Sequence, residues 1–71
     1  MPGLIFTVAA DQWAEHGYIY RDGVVVQYET DRKEQTHREF GVQGAADFMA
    51  DEKNPPEIRE WVRSCLASAG S

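Results

Sequence analysis

The chain has 71 residues, with 12 acidic against 7 basic side chains and a formal net charge of −5 at neutral pH. A length of 71 allows a single domain over residues 1–71, and a domain near this size buries only about 60% of the surface its unfolded chain exposes. That argues against a deep substrate cavity, hence against an enzyme, and the surplus of carboxylates argues against direct nucleic-acid binding, which draws its affinity from Lys and Arg.

Residues 4–9 are rich in β-branched and aromatic types, which predicts a strand with Leu4, Phe6 and Val8 turned inward. Residues 10–17 fit either one helical turn stopped by Gly17 or an extended connection. Residues 18–21 and 24–28 flank Asp22-Gly23, a pair that tolerates the positive φ angles of a two-residue type I′ turn, and together they predict a hairpin. That turn sets the register: Arg21 opposite Val24, Tyr20 opposite Val25, Ile19 opposite Val26, Tyr18 opposite Gln27. Alternation then separates two faces. Ile19, Val24, Val26 and Tyr28 read as the core face, and Tyr18, Tyr20 and Val25 as an amphipathic patch of the kind enriched at protein interfaces.

The charged run 31–34 reads as an exposed turn. Residues 35–40, with Phe40 their one large apolar side chain, read as an edge strand whose charges discourage pairing between molecules. Gly41-Val42-Gln43-Gly44 then breaks the strand pattern. A short helix over about 44–52 follows from Ala45, Phe48 and Met49 at i, i+3 and i+4, and Asn54-Pro55-Pro56 both ends it and starts the next. In that second helix Ile58, Trp61, Val62, Cys65 and Leu66 form an apolar stripe while Glu57, Arg59, Glu60 and Arg63 point outward; residues 69–71 are expected to fray. Strands first and helices after predict an α+β fold, a small antiparallel sheet of three to four strands packed on two short C-terminal helices.

Little in the chain has the pattern of a reaction centre. His16, His37 and Cys65 stand at no recurrent zinc spacing, and Cys65, on the apolar stripe, reads as a small buried hydrophobe rather than a nucleophile. No cofactor or metal is expected. One cysteine excludes an internal disulfide and suits a reducing compartment, and with neither a secretory leader pattern nor an apolar run near 20 residues the expected location is the cytoplasm, off the membrane. The carboxylates carry another reading. Asp47 and Asp51 stand at i and i+4, about 6 Å apart on a helix, close to the spacing of phosphates along a nucleic-acid strand, and Glu52, Glu57 and Glu60 crowd the same end of the chain. The plain alternative is a solvated helix face, partly neutralised by Lys53, Arg59 and Arg63.

Short strands, a Tyr-rich hairpin with an Asp22-Gly23 turn, and Phe40-Gly41-Val42-Gln43-Gly44-Ala45-Ala46-Asp47-Phe48 leading into two short helices make this acidic chain resemble the small phage-encoded anti-CRISPR proteins. The resemblance lies in architecture and composition and rests on no diagnostic motif. It implies a non-enzymatic, stoichiometric inhibitor in the host bacterial cytoplasm that binds a Cascade-type surveillance complex and blocks target DNA, as a DNA mimic or by covering the DNA-binding surface. On that reading Asp47, Asp51, Glu52, Glu57 and Glu60 substitute for phosphates and Tyr18 and Tyr20 are apolar anchors, in a monomer or weak dimer. The rival expectation is a regulatory or interaction domain that self-associates through Tyr18, Tyr20 and Val25.

Overall fold

The computed structural model describes residues 3–69. Four strands, β1 (Leu4–Ala10), β2 (Ala14–Arg21), β3 (Val24–Asp31) and β4 (Thr36–Gly44), precede two helices, α1 (Ala45–Ala50) and α2 (Pro56–Ala69). The strands form one antiparallel meander in the order β1-β2-β3-β4, so the fold is α+β. Asp22 and Gly23 sit at φ 53° and 80°, both positive as a type I′ turn requires, and the four hairpin pairs fall in the expected register. Residues 10–17 do not form a helical turn. The Asp11 carboxylate instead accepts the amides of Trp13 and Ala14, each at 2.7 Å, and the chain is already in β2 at Ala14. The Asp31 carboxylate organises the second turn in the same way, accepting from Lys33 and Glu34.

Several boundaries differ from the sequence reading: β2 begins at Ala14 and β3 runs to Asp31, beyond the expected 18–21 and 24–28. Strand β4 does not break at Gly41. Gly41 takes φ 63° inside a bulge, where Gln27 pairs Phe40 and Val25 pairs Gln43, and the strand runs on to Gly44. Helix α1 ends at Ala50 rather than Glu52, because Asp51 is extended (φ −85°, ψ 105°) and the Asn54 side-chain Nδ2 donates to the Phe48 carbonyl at 3.0 Å. Helix α2 remains helical through Ala69, and Gly70 and Ser71 lie outside the described residues.

The larger correction concerns which face of the sheet the helices cover. They pack on the face of Tyr18, Tyr20 and Val25, not on that of Ile19, Val24, Val26 and Tyr28. Tyr20, Val25, Ala45, Phe48, Ile58, Val62 and Cys65 form one buried cluster, with Phe6, Tyr18, Met49, Trp61 and Leu66 packed around it. The reason lies in the outer strands. Phe6 pairs Tyr18 across β1 and β2, so the apolar row of the first strand extends the tyrosine face, whereas Tyr28 pairs Glu39 and Thr30 pairs His37 across β3 and β4. Placing helices on the second face would strip water from those charged groups without giving all of them partners. Phe6 is inward as expected, but Leu4 and Val8, at its two ends, are about half exposed.

The uncovered face is nonetheless closed. Ile19, Val26 and Tyr28 are buried there under a layer of polar side chains. The Thr7 hydroxyl donates to the Tyr28 oxygen at 3.0 Å, the Tyr28 hydroxyl to Glu15 at 2.7 Å, and Arg32 reaches Glu15 at 2.9 Å. Along the same face Arg21 and His37 both reach Glu39, and His37 also bonds Thr30 and stacks on the Tyr28 ring. Gly17, between Thr7 and Tyr28, is required here: a Cβ would overlap the Phe6 carbonyl oxygen, which lets β1 and β2 meet at this point only through glycine.

Candidate functional site

The helical layer carries the five carboxylates singled out in the sequence. Asp47 lies in the first turn of α1 and Glu57 in the first turn of α2, where the positive end of the helix dipole favours them. Both are exposed, as are Glu52 and Glu60. Asp51 departs from expectation. It is the C-cap of α1, its amide donating to the Asp47 carbonyl at 3.1 Å as in a helical i, i+4 pair, but it is half-buried and its carboxylate accepts the Lys53 amide at 3.0 Å. Glu60 borders a shallow groove of about 190 Å³ together with Met49, Pro56, Arg59 and Arg63, so the acidic surface is interrupted by guanidinium groups rather than being a continuous row.

These acids, like Asp11, Asp22, Asp31 and Glu34 in the sheet and its turns, take part in no ion pair among the described residues. The ion pairs among the described residues, Arg21–Glu39, Arg32–Glu15, His37–Glu39 and Arg38–Glu29, all lie on the sheet. Asp47, Asp51, Glu52, Glu57 and Glu60 enter none of them. The sheet and its turns keep a net charge of −3 and the helical part −2, and in the helical layer Asp47, Glu52, Glu57 and Glu60 stand exposed with no ion pair among the described residues.

The expected tyrosine anchors are placed differently. Tyr20 is buried beneath the helices at 8% exposure and is not available to a partner. Tyr18 is half-buried, its ring edge-on to Phe48 with centroids 5.6 Å apart. Beyond α1 its face of the sheet opens into a groove of about 380 Å³ lined by Val8, His16, Tyr18, Gln27, Glu29 and Phe40, with Arg38 over the Phe40 ring. The sequence reading did not find this groove. Alternation from Tyr18 would have placed His16 on its face, but locating Phe40 there required the register of the turn after Asp31, which pairs Phe40 with Gln27.

The environments of the titratable groups give no activated nucleophile. Burial pushes the Cys65 thiol above its ordinary pKa, toward the unreactive form. Burial also raises the Tyr28 phenol, with the Glu15 carboxylate adding to the effect against the Thr7 hydrogen bond. The amides of Trp13 and Ala14, and then Arg32, hold Asp11 below the usual carboxylate range. Arg21 and then His37 do the same for Glu39. Among the described residues no three His, Cys, Asp or Glu side chains converge as metal ligands, and no helix is long and apolar enough to cross a membrane.

Fold and surface together define a small α+β protein in which a four-stranded meander bears a two-helix layer on one face. Neither protein-family models, nor curated proteins, nor solved structures yield a match to the chain.

Proposed function

We propose that this chain is a stoichiometric protein inhibitor, without catalytic activity of its own, that places the carboxylates of its helical layer against a basic, nucleic-acid-binding surface of a partner protein. The observation that carries the reading is the exposed, unpaired state of Asp47, Glu52, Glu57 and Glu60 together on the helical layer, which the ion pairs of the sheet do not reach. Unpaired carboxylates on a rigid layer steer toward positive potential and occupy positions that phosphates would take. Asp51 contributes charge to the same surface but is also tied to its turn. Of the two proposed anchors, Tyr18 keeps a supporting role at the groove, while Tyr20 belongs to the core.

The particular form of this reading, carried by the resemblance to small phage-encoded anti-CRISPR proteins, is inhibition of a Cascade-type surveillance complex in a bacterial cytoplasm by blocking its target DNA. Titrating the wild-type protein into a purified Cascade-type complex and following target-duplex binding by mobility shift tests it. The reading expects loss of the shifted band to saturate at a fixed stoichiometry, with no product released from the DNA or the complex. An undiminished shift at large excess of the protein refutes the Cascade assignment. Self-association through Tyr18, Tyr20 and Val25 is not retained, because α1 and α2 cover that face.

A further inference from the structure

The two edges of the sheet are built differently. Strand β4 is blunted by His37, Arg38 and Glu39 and twisted by the bulge at Gly41, both devices that discourage edge-to-edge pairing. Strand β1 reads Leu-Ile-Phe-Thr-Val-Ala-Ala, with neither a charge nor a proline, and its bulge lies only toward its end, between Thr7 and Ala9. Leu4, Ile5 and Val8, exposed by 49%, 60% and 48%, are half of the large apolar side chains that stand exposed among the described residues.

The register identifies which backbone groups of β1 are open. A two-residue turn makes Arg21 and Val24 a hydrogen-bonded pair, so the amide and carbonyl of Arg21 face β3 and those of Tyr20 and Tyr18 face β1. Their partners Leu4 and Phe6 therefore point inward, and Ile5 and Thr7 turn their amides and carbonyls away from the sheet. No hydrogen bond from a loop or turn among the described residues reaches those of Ile5 and Thr7.

We propose that β1 pairs antiparallel with β1 of a second copy, about a two-fold axis through Phe6, joining two meanders into one continuous sheet. In this register Ile5 lies opposite Thr7 of the second copy, and each pair exchanges the open amides and carbonyls. Phe6, whose polar backbone groups are already used by β2, falls on the axis as a non-hydrogen-bonded pair. Leu4 meets Val8 of the second copy on the helix side, so the exposed apolar side chains of the strand cover one another. The second copy is the occupant the register selects: about Phe6 the open groups of Ile5 and Thr7 and the exposed side chains of Leu4 and Val8 are self-complementary, and the uncharged strand keeps the like charges of two molecules at −5 each off the seam. This pairing is independent of the inhibitor reading and leaves the helical layer free.

Sedimentation equilibrium from about 5 μM to about 1 mM, combined with amide hydrogen exchange, tests the pairing. The wild-type mass rises from 8.0 kDa toward twice that value with concentration. Protection of the Ile5 and Thr7 amides rises in parallel, while Leu4 and Phe6 amides are protected throughout. Ile5→Pro removes an outward amide without taking a donor from the β1–β2 ladder, and weakens the dimer at least about 10-fold; Phe40→Ser, an exposed apolar change on the opposite edge strand β4, leaves it intact. If Ile5→Pro loses its strand signal in circular dichroism, the exchange data on the wild type decide. A mass that stays at 8.0 kDa to the highest concentration, which leaves the edge to a strand of another protein, overturns the proposal. So does a dimer in which Ile5 and Thr7 amides exchange as freely as in the monomer.

Discussion

Val24 and Val25 are adjacent, chemically identical and assigned opposite roles by the two ways of choosing the core face, so truncating each to alanine is a direct test of the packing. Val25 is fully buried between Tyr20 and the helices, whereas Val24 is half-buried beside the turn on the polar side of the sheet. Val25→Ala removes two methyl-sized groups at about 0.8 kcal/mol each and leaves a cavity that the strand cannot close, for a loss of about 2 kcal/mol. Val24→Ala, at a site already in partial contact with water, costs under about 1 kcal/mol. A domain of this size holds only about 3–5 kcal/mol, so the first change removes roughly half the stability and the second leaves most of it. Urea unfolding followed by far-ultraviolet circular dichroism measures both, with an unchanged denaturant slope as the check that two-state behaviour persists. A Val24→Ala variant as destabilised as Val25→Ala, or more so, would refute the assignment of the helices to the tyrosine face.

Other outcomes follow from single sites. Gly17→Ala separates β1 from β2, because its Cβ would overlap the Phe6 carbonyl oxygen, and is expected to unfold the domain or lower its melting temperature by more than about 10 °C; an unchanged melting curve contradicts the close approach. Arg21 and His37 hold the Glu39 carboxyl below its ordinary pKa, so its contribution is complete above the unfolded value and disappears as pH falls through the lowered folded value. Thermal melts from neutral to strongly acidic pH should accordingly show a smaller acid loss in Glu39→Gln than in the wild type. The Tyr28 phenol is shifted the other way, so its contribution is intact below the ordinary tyrosine pKa and disappears at alkaline pH; ultraviolet titration should show an ionisation above the ordinary tyrosine range that Tyr28→Phe abolishes. Cys65, buried at 3% exposure with a raised pKa, should react with a thiol reagent at neutral pH at least about 100-fold slower in the native protein than in urea.

The hairpin was legible because its determinant is local. Asp22-Gly23 tolerates the required φ angles, and the register of four pairs follows from the turn without reference to the rest of the chain. The stripe of α2 was legible for the same reason, since Ile58, Trp61, Val62, Cys65 and Leu66 repeat within one element and each packs in the core or against it. The choice of sheet face was not, because the hairpin is apolar on both sides and the decision falls to residues one strand away. Phe6 joins Tyr18 on one side, Glu39 joins Tyr28 on the other, and neither pairing is encoded near the hairpin. Gly41 reads as a terminator until its bulge is seen within a strand. The candidate site shares this pattern. Exposure of Asp47, Glu57 and Glu60 follows from helix periodicity, while the tying of the Asp51 carboxylate to the Lys53 amide depends on where α1 ends.

The pairing of the sheet charges has a further consequence for the proposed inhibitor. Because Glu15, Glu29 and Glu39 already have cations beside them, changing them should affect stability more than partner binding. The helical carboxylates should show the opposite balance, with Asp51 the exception because its turn uses the same carboxylate.

The most direct test compares two variants in the target-DNA mobility shift of a Cascade-type complex, at low and at moderate salt. One carries Asp47→Asn, Glu52→Gln, Glu57→Gln and Glu60→Gln; the other carries Glu15→Gln and Glu29→Gln on the sheet. The account predicts that the helical variant, folded by circular dichroism, loses inhibition by about 100-fold or more at low salt, that the sheet variant retains it, and that wild-type potency falls steeply as salt rises. Equal inhibition by the wild type and the helical variant at both salt concentrations would contradict it.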